Sequence, residues 1–241
     1  MDTKVKGRDW KRWAGSNSAL IAFVVLFVLA VIFQGSMFLS FNNIINILRN
    51  NSVIGIIALG MTLVIITGGI DLSVGSQLAF TGVIIIQIFN QTQSIVLTLA
   101  ASIIMAVVLG IITGLLVAKF RIPAFITTLG SMSIYRSVAQ YWLNGGGLTA
   151  AGDKLDSYLS ISNTNLFGVI PMPIIVWIVC AVFVYLFAQH TATGRHIYAV
   201  GSNQKAAELA TVRVVRVKCF AYSILSLLVV IAAIVETSRL G

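Results

Sequence analysis

The stretch Gly60-Met61-Thr62-Leu63-Val64-Ile65-Ile66-Thr67-Gly68-Gly69-Ile70-Asp71-Leu72-Ser73-Val74-Gly75-Ser76 sets a lone carboxylate and four glycines inside sequence that otherwise reads like the interior of a bilayer. A charged side chain at bilayer depth costs roughly 3 kcal/mol even on lenient insertion scales, so it normally faces a partner, a cavity or water. Asp71 therefore needs an internal acceptor. Gly68-Gly69 interrupts one apolar run just before it, and Leu72-Ser73-Val74-Gly75 opens the next. Two roles for Asp71 follow. It caps the N-terminus of the following helix, its carboxylate accepting from free backbone N–H groups, or it lines or gates a pathway, as broken helices do in transporters. The two are compatible.

The 241 residues are 58% hydrophobic and only 10% charged, with a mean hydropathy of +0.98, which excludes an ordinary soluble domain. Apolar runs approach the roughly 20 residues a helix needs to cross a hydrocarbon core about 30 Å thick, and they do not alternate as barrel strands would. The fold class is an all-α polytopic transmembrane bundle with short and broken helices. A net charge of +9 can point to nucleic acid. Here the basic residues are scattered among short loops, which argues against that partner.

Periodicity and breakers place membrane segments at about 19–38, 51–67, 74–90, 95–118, 123–143, 169–188 and 219–237. Lys4, Lys6, Arg8, Lys11 and Arg12 precede the first and read as a cytoplasmic anchor within a basic tail, residues 1–18. A signal peptide is the competing reading, but no small-residue cleavage site follows Ala19 to Phe33. With the N-terminus inside, Lys119, Arg121 and the five basic residues of the 189–218 loop also fall inside. The outer side holds only Arg49, Lys154 and Arg239, so the asymmetry obeys the positive-inside rule. Residues 39–50 read as a separate interfacial amphipathic helix, and the polar stretch Asn144 to Phe167 as the sizeable outer surface.

Pro123 opens the fifth segment, after which Thr128, Met132, Arg136 and Gln140 recur every fourth residue as a partly polar stripe. Such a stripe faces protein or water, although Arg136 lies close enough to the outer boundary to snorkel. In the 189–218 loop, Asn203 is a good N-cap for a short helix whose Ala206, Ala207, Leu209 and Ala210 offer a smooth apolar surface beside Lys205 and Glu208. A helix that short must pack on something, either the membrane surface or a groove in a cytoplasmic protein. His190 and His196 lack a third ligand, and Cys180 and Cys219 lack metal-ligand spacing, so no metal or other cofactor is expected. There is no phosphate loop, nucleophile elbow or metalloprotease motif, so the chain is not read as an enzyme and does not itself hydrolyse ATP.

Three blocks resemble the permease subunits of sugar-importing ABC transporters of the ribose, xylose and galactoside type. They are Gly60 to Ser76, Pro123-Ala124-Phe125-Ile126-Thr127-Thr128-Leu129-Gly130, and the loop from Thr193-Gly194-Arg195 to Lys218. The resemblance spans the whole chain as one permease domain, residues 1–241, and implies that the family's C-terminal part is missing. It departs locally. Thr211 stands where the family usually has glycine, Val215 where an acidic residue is common, and Val230 and Ala233 replace helix glycines, which is expected to loosen packing.

The resemblance implies import of a monosaccharide or related small sugar by alternating access across the cell membrane, driven by ATP hydrolysis on a separate ABC ATPase subunit. It also implies an extracytoplasmic sugar-binding protein and a second permease copy as partners, within the lipid bilayer. On that reading Gly68, Gly69, Asp71 and Ser73 form the helix break, Arg136 and Gln140 belong to the pathway, and Ala206, Ala207, Glu208 and Leu209 meet the ATPase. The alternatives are a secondary transporter or channel using Asp71 as an ion site, or an inactive truncated remnant.

Overall fold

A computed structural model describes residues 15–240, and the basic tail from Lys4 to Arg12 lies outside them. The chain divides into two compact units, one up to Leu48 and one from Arg49 onward. In the first, α1 (Ser18–Gln34) is followed by a 3-10 turn at Gly35–Met37. None of the apolar window Leu20–Met37 is buried in protein. A helix that is apolar on every side suits a place in lipid. The Ser40 hydroxyl accepts from the Asn43 N–H, and this cap explains why α2 (Phe41–Ile66) starts where it does.

That helix corrects one expectation. Residues 39–50 do not form a separate interfacial helix, because α2 runs unbroken for 26 residues from Phe41 to Ile66. No glycine or proline interrupts positions 41–54, and asparagine lowers helix propensity too little to end a helix by itself.

In the second unit, α3 (Val74–Thr92), α4 (Ile95–Ala118) and α5 (Ala124–Leu143) are followed by a short helix, α6 (Leu155–Asn163). A two-residue antiparallel ladder then joins β1 (Asn165–Leu166) to β2 (Ile170–Pro171). After it come α7 (Met172–His190), α8 (Ala192–Ser202), α9 (Gln204–Leu209) and α10 (Val214–Leu240). Among the described residues, five helices are long and apolar enough to cross a membrane: Leu20–Met37, Phe41–Ile66, Ile95–Ala118, Met172–His190 and Val214–Leu240. The two other segments expected to span, α3 and α5, are 19 and 20 residues long but more polar. They pack on each other.

The axis of this unit is α10, which packs against α3, α4, α6 and α8. Small residues let its neighbours approach. Gly110 and Gly114 lie one turn apart on α4, and a Cβ at Gly114 would sit 2.6 Å from the Cys219 Cα. A Cβ at Gly60 on α2 would sit 2.8 Å from the Leu225 Cα. Between membrane helices there is no hydrophobic drive, so backbone proximity and dispersion hold the pair together. Further along α10, Val230 and Ala233 are 0% and 1% exposed in a cluster with Ile85, Phe89 and Tyr158. Both side chains thus fill space in a closed core.

At that end α6 is tied to α10. The Ser162 hydroxyl donates to the Val235 carbonyl at 2.9 Å, Asn163 Nδ2 donates to the Ser238 carbonyl at 3.2 Å, and Tyr158 stacks on Phe89 at 4.4 Å. The stretch between α5 and α7 is therefore an ordered cap. At the opposite end the second cluster packs Ile56 and Leu63 of α2 against Ile197, Val200, Ala207, Val217 and Leu225.

Candidate functional site

The interruption between α2 and α3 is built from four residues that sequence singled out. The Thr67 hydroxyl turns back to the Val64 carbonyl at 2.7 Å, and Gly68 follows at φ +76°, a conformation that favours glycine. Gly69 is required for space. A Cβ there would lie 2.8 Å from the Tyr222 hydroxyl and 3.0 Å from Val64 Cγ1. Asp71, only 4% exposed, accepts through Oδ1 from the Ser73 N–H at 2.8 Å and from the Ser73 hydroxyl at 2.6 Å. This is an Asx-turn, and it leads the chain into α3 with the carboxylate beside the positive end of the helix dipole.

Other polar groups converge here that sequence reasoning passed over. The Tyr222 hydroxyl of α10 donates to the Ile70 carbonyl at 3.2 Å, pinning the turn. Tyr135 of α5 and Tyr222 both lie within electrostatic reach of Asp71. One turn into α3, Gln77 donates to the Ser226 hydroxyl at 3.0 Å, and both are buried. The only sequence signal for these residues is that they are polar within apolar runs. A cavity of about 350 Å³ opens beside the break, bordered by Gly68, Gly69, Arg121, Glu208 and Lys218.

Arg136 and Gln140 are not brought to this place. Both are exposed on α5, each one position past a buried residue, Tyr135 or Ala139, whereas Thr128 of the same stripe is buried, and neither Arg136 nor Gln140 lines the cavity at the break. The side of α5 that meets α3 carries aromatic rings, with Tyr135 and Trp142 stacking on Phe80 at 5.4 and 6.1 Å.

The short helix in the 189–218 loop is α9. Asn203 caps it, Oδ1 accepting from the Ala206 N–H at 3.0 Å. At its other end the Thr211 N–H donates to the Glu208 carbonyl and the Val212 N–H to the Ala207 carbonyl, each at 3.0 Å. That pair is a Schellman motif, which places Thr211 at the left-handed position, φ +65°. The four residues expected at a partner contact separate. Ala206, Glu208 and Leu209 are exposed, Leu209 at 87%, whereas Ala207 is 5% exposed and packs into the core. Just before α9, Gly201 of α8 rests against the Ile66 carbonyl with no room for a Cβ, so this unit touches the last residue of α2.

Residues 43–241 match the family described as branched-chain amino acid transport system / permease component. The ribose import permease protein of Escherichia coli (strain K12) is 37% identical over 98% of this chain and 74% of its own length. The L-arabinose transport system permease protein of the same strain is 35% identical over 97% and 69%. The fructose import permease protein of Bifidobacterium longum (strain NCC 2705) is 32% identical over 92% and 68%. No solved structure matches.

Proposed function

The chain belongs to the branched-chain amino acid transport system / permease component family, on the side of its sugar permeases, and from that premise we propose the following working unit. It is the membrane-spanning subunit of an ABC importer and carries a monosaccharide or related small sugar. ATP is hydrolysed on a separate subunit, an extracytoplasmic binding protein delivers the sugar, and a second permease copy completes the pathway. The family is one of transport permeases and not of enzymes. The observation that carries this reading is the 37% identity to a ribose permease, sustained over 98% of the chain. These relatives favour it over a self-sufficient secondary transporter.

The geometry supports a mechanical role for the two regions. With the N-terminus in the cytoplasm, the orientation that the charge asymmetry favours, α9 and the break lie on the inner side. Leu209 and Ala206 offer an apolar contact flanked by Glu208, and inward-facing Ala207 anchors the helix from below. Displacement of α9 reaches the break through α8, because Gly201 abuts Ile66 and the glycines that follow give least resistance to torsion. Tyr222 links the same turn to α10. ATP-driven motion of the partner thereby widens or narrows the inner mouth, and the sugar passes chemically unchanged.

Leu209→Asp tests the contact. The side chain is exposed, so the permease should fold and reach the membrane, while co-purification of the ATPase subunit and sugar uptake are both lost. Uptake at the wild-type rate would refute α9 as the docking helix.

A further inference from the structure

Two cavities on the flank of α10 share Arg216 and Phe220, and they differ in chemistry. The first, about 390 Å³, is polar and cationic, with Arg213 and Arg216 beside His196, Thr193 and Thr211. The second, about 610 Å³, is an apolar groove between α4 and α10, floored by Val107, Ile111, Leu115, Ile224 and Leu227. Among the described residues no carboxylate lines either one. Among the described residues the single ion pair is Arg239 with Glu236, at the other end of α10, so within them neither arginine has an ion-pair partner.

The depth of the groove identifies its occupant. From Arg216 to Leu227 the helix rises about 16 Å at 1.5 Å per residue, close to half of a hydrocarbon core about 30 Å thick. From Leu228 to Ser238 most of α10 is buried against its neighbours. A helix from another chain would need the full thickness, whereas one lipid needs a single leaflet. We propose that this flank is a binding site for an anionic phospholipid, its phosphate held by Arg213 and Arg216 and one acyl chain laid over Ile111, Phe220 and Ile224. Basic pockets between membrane helices attract anionic headgroups of the adjoining leaflet. The site also borders α9, so an occupied headgroup pocket stiffens the loop that carries the partner contact.

The test uses the full chain, purified with its ATPase partner and reconstituted in nanodiscs of phosphatidylglycerol and phosphatidylcholine, with retained lipid counted by native mass spectrometry. The wild type should retain phosphatidylglycerol preferentially. R213Q/R216Q should lower that preference roughly thirty-fold, equivalent to about 2 kcal/mol at 1.4 kcal/mol per decade. Ile111→Trp, which fills the apolar groove from a lipid-facing position, should expel the lipid with both arginines intact. Equal retention of the two lipids, or an unchanged preference in R213Q/R216Q, overturns the proposal. So does binding of inorganic phosphate alone that Ile111→Trp leaves untouched, or copy-to-copy cross-linking through Ile111→Cys. Lipid retention is read independently of sugar uptake, so this inference and the transport reading can fail separately.

Discussion

At the scale of the residue, Asp71 and Thr211 show how one side chain is defined by the backbone that receives it. The Asp71 carboxylate satisfies two donors of Ser73 in a buried turn. Asp71→Ala leaves both without a partner and should lower stability by roughly 1–3 kcal/mol. Asp71→Asn keeps the accepting Oδ1 and should lose less, as thermal unfolding of the detergent-purified protein would measure. Equal losses would mean that charge, and not the acceptor, holds the turn. Thr211 is the opposite case, a β-branched residue held at φ +65°. Thr211→Gly should relieve roughly 1 kcal/mol of strain, a rise of about 2–4 °C in Tm for a chain of this size.

At the scale of the element, glycines divide by what surrounds them. Gly114 faces the backbone of α10 at a distance no Cβ tolerates, whereas Gly130 on α5 has nothing within 4 Å. Gly114→Val should force α4 from α10 and cost roughly 1–3 kcal/mol, seen as lower folded yield and Tm. Gly130→Ala in the same assay should be neutral or gain up to about 1 kcal/mol, because only helix propensity changes. The sequence shows both as glycines in apolar helices and does not separate them, since close approach is a property of two helices. The same limit explains α2. Its asparagines near 42–51 suggest a surface helix, yet whether a helix stops there depends on a breaker, and none is present.

At the scale of the whole molecule, the functional reading requires α9 and the cap between α5 and α7 to lie on opposite sides of the membrane. Leu209 and Phe167 are 87% and 88% exposed, and the native Cys180 and Cys219 are buried or half-buried, giving a low background for thiol labelling. With a membrane-impermeant reagent on intact cells, Phe167→Cys should label and Leu209→Cys should label only after permeabilisation. The reverse pattern would invert the topology and remove the ATPase contact with it.

The all-α membrane class, the short helix after Asn203 and the glycine break around Asp71 are legible in the residues alone, because each rests on local chemistry: apolar length, a capping side chain, a residue pair free of Cβ. Helix packing is what turns Ala207 inward and Leu209 out, keeps Arg136 and Gln140 clear of the break, and brings Tyr222 from 152 residues away to pin it. Those outcomes depend on which helix faces lie against one another, and one segment's periodicity cannot specify the face of another that it meets.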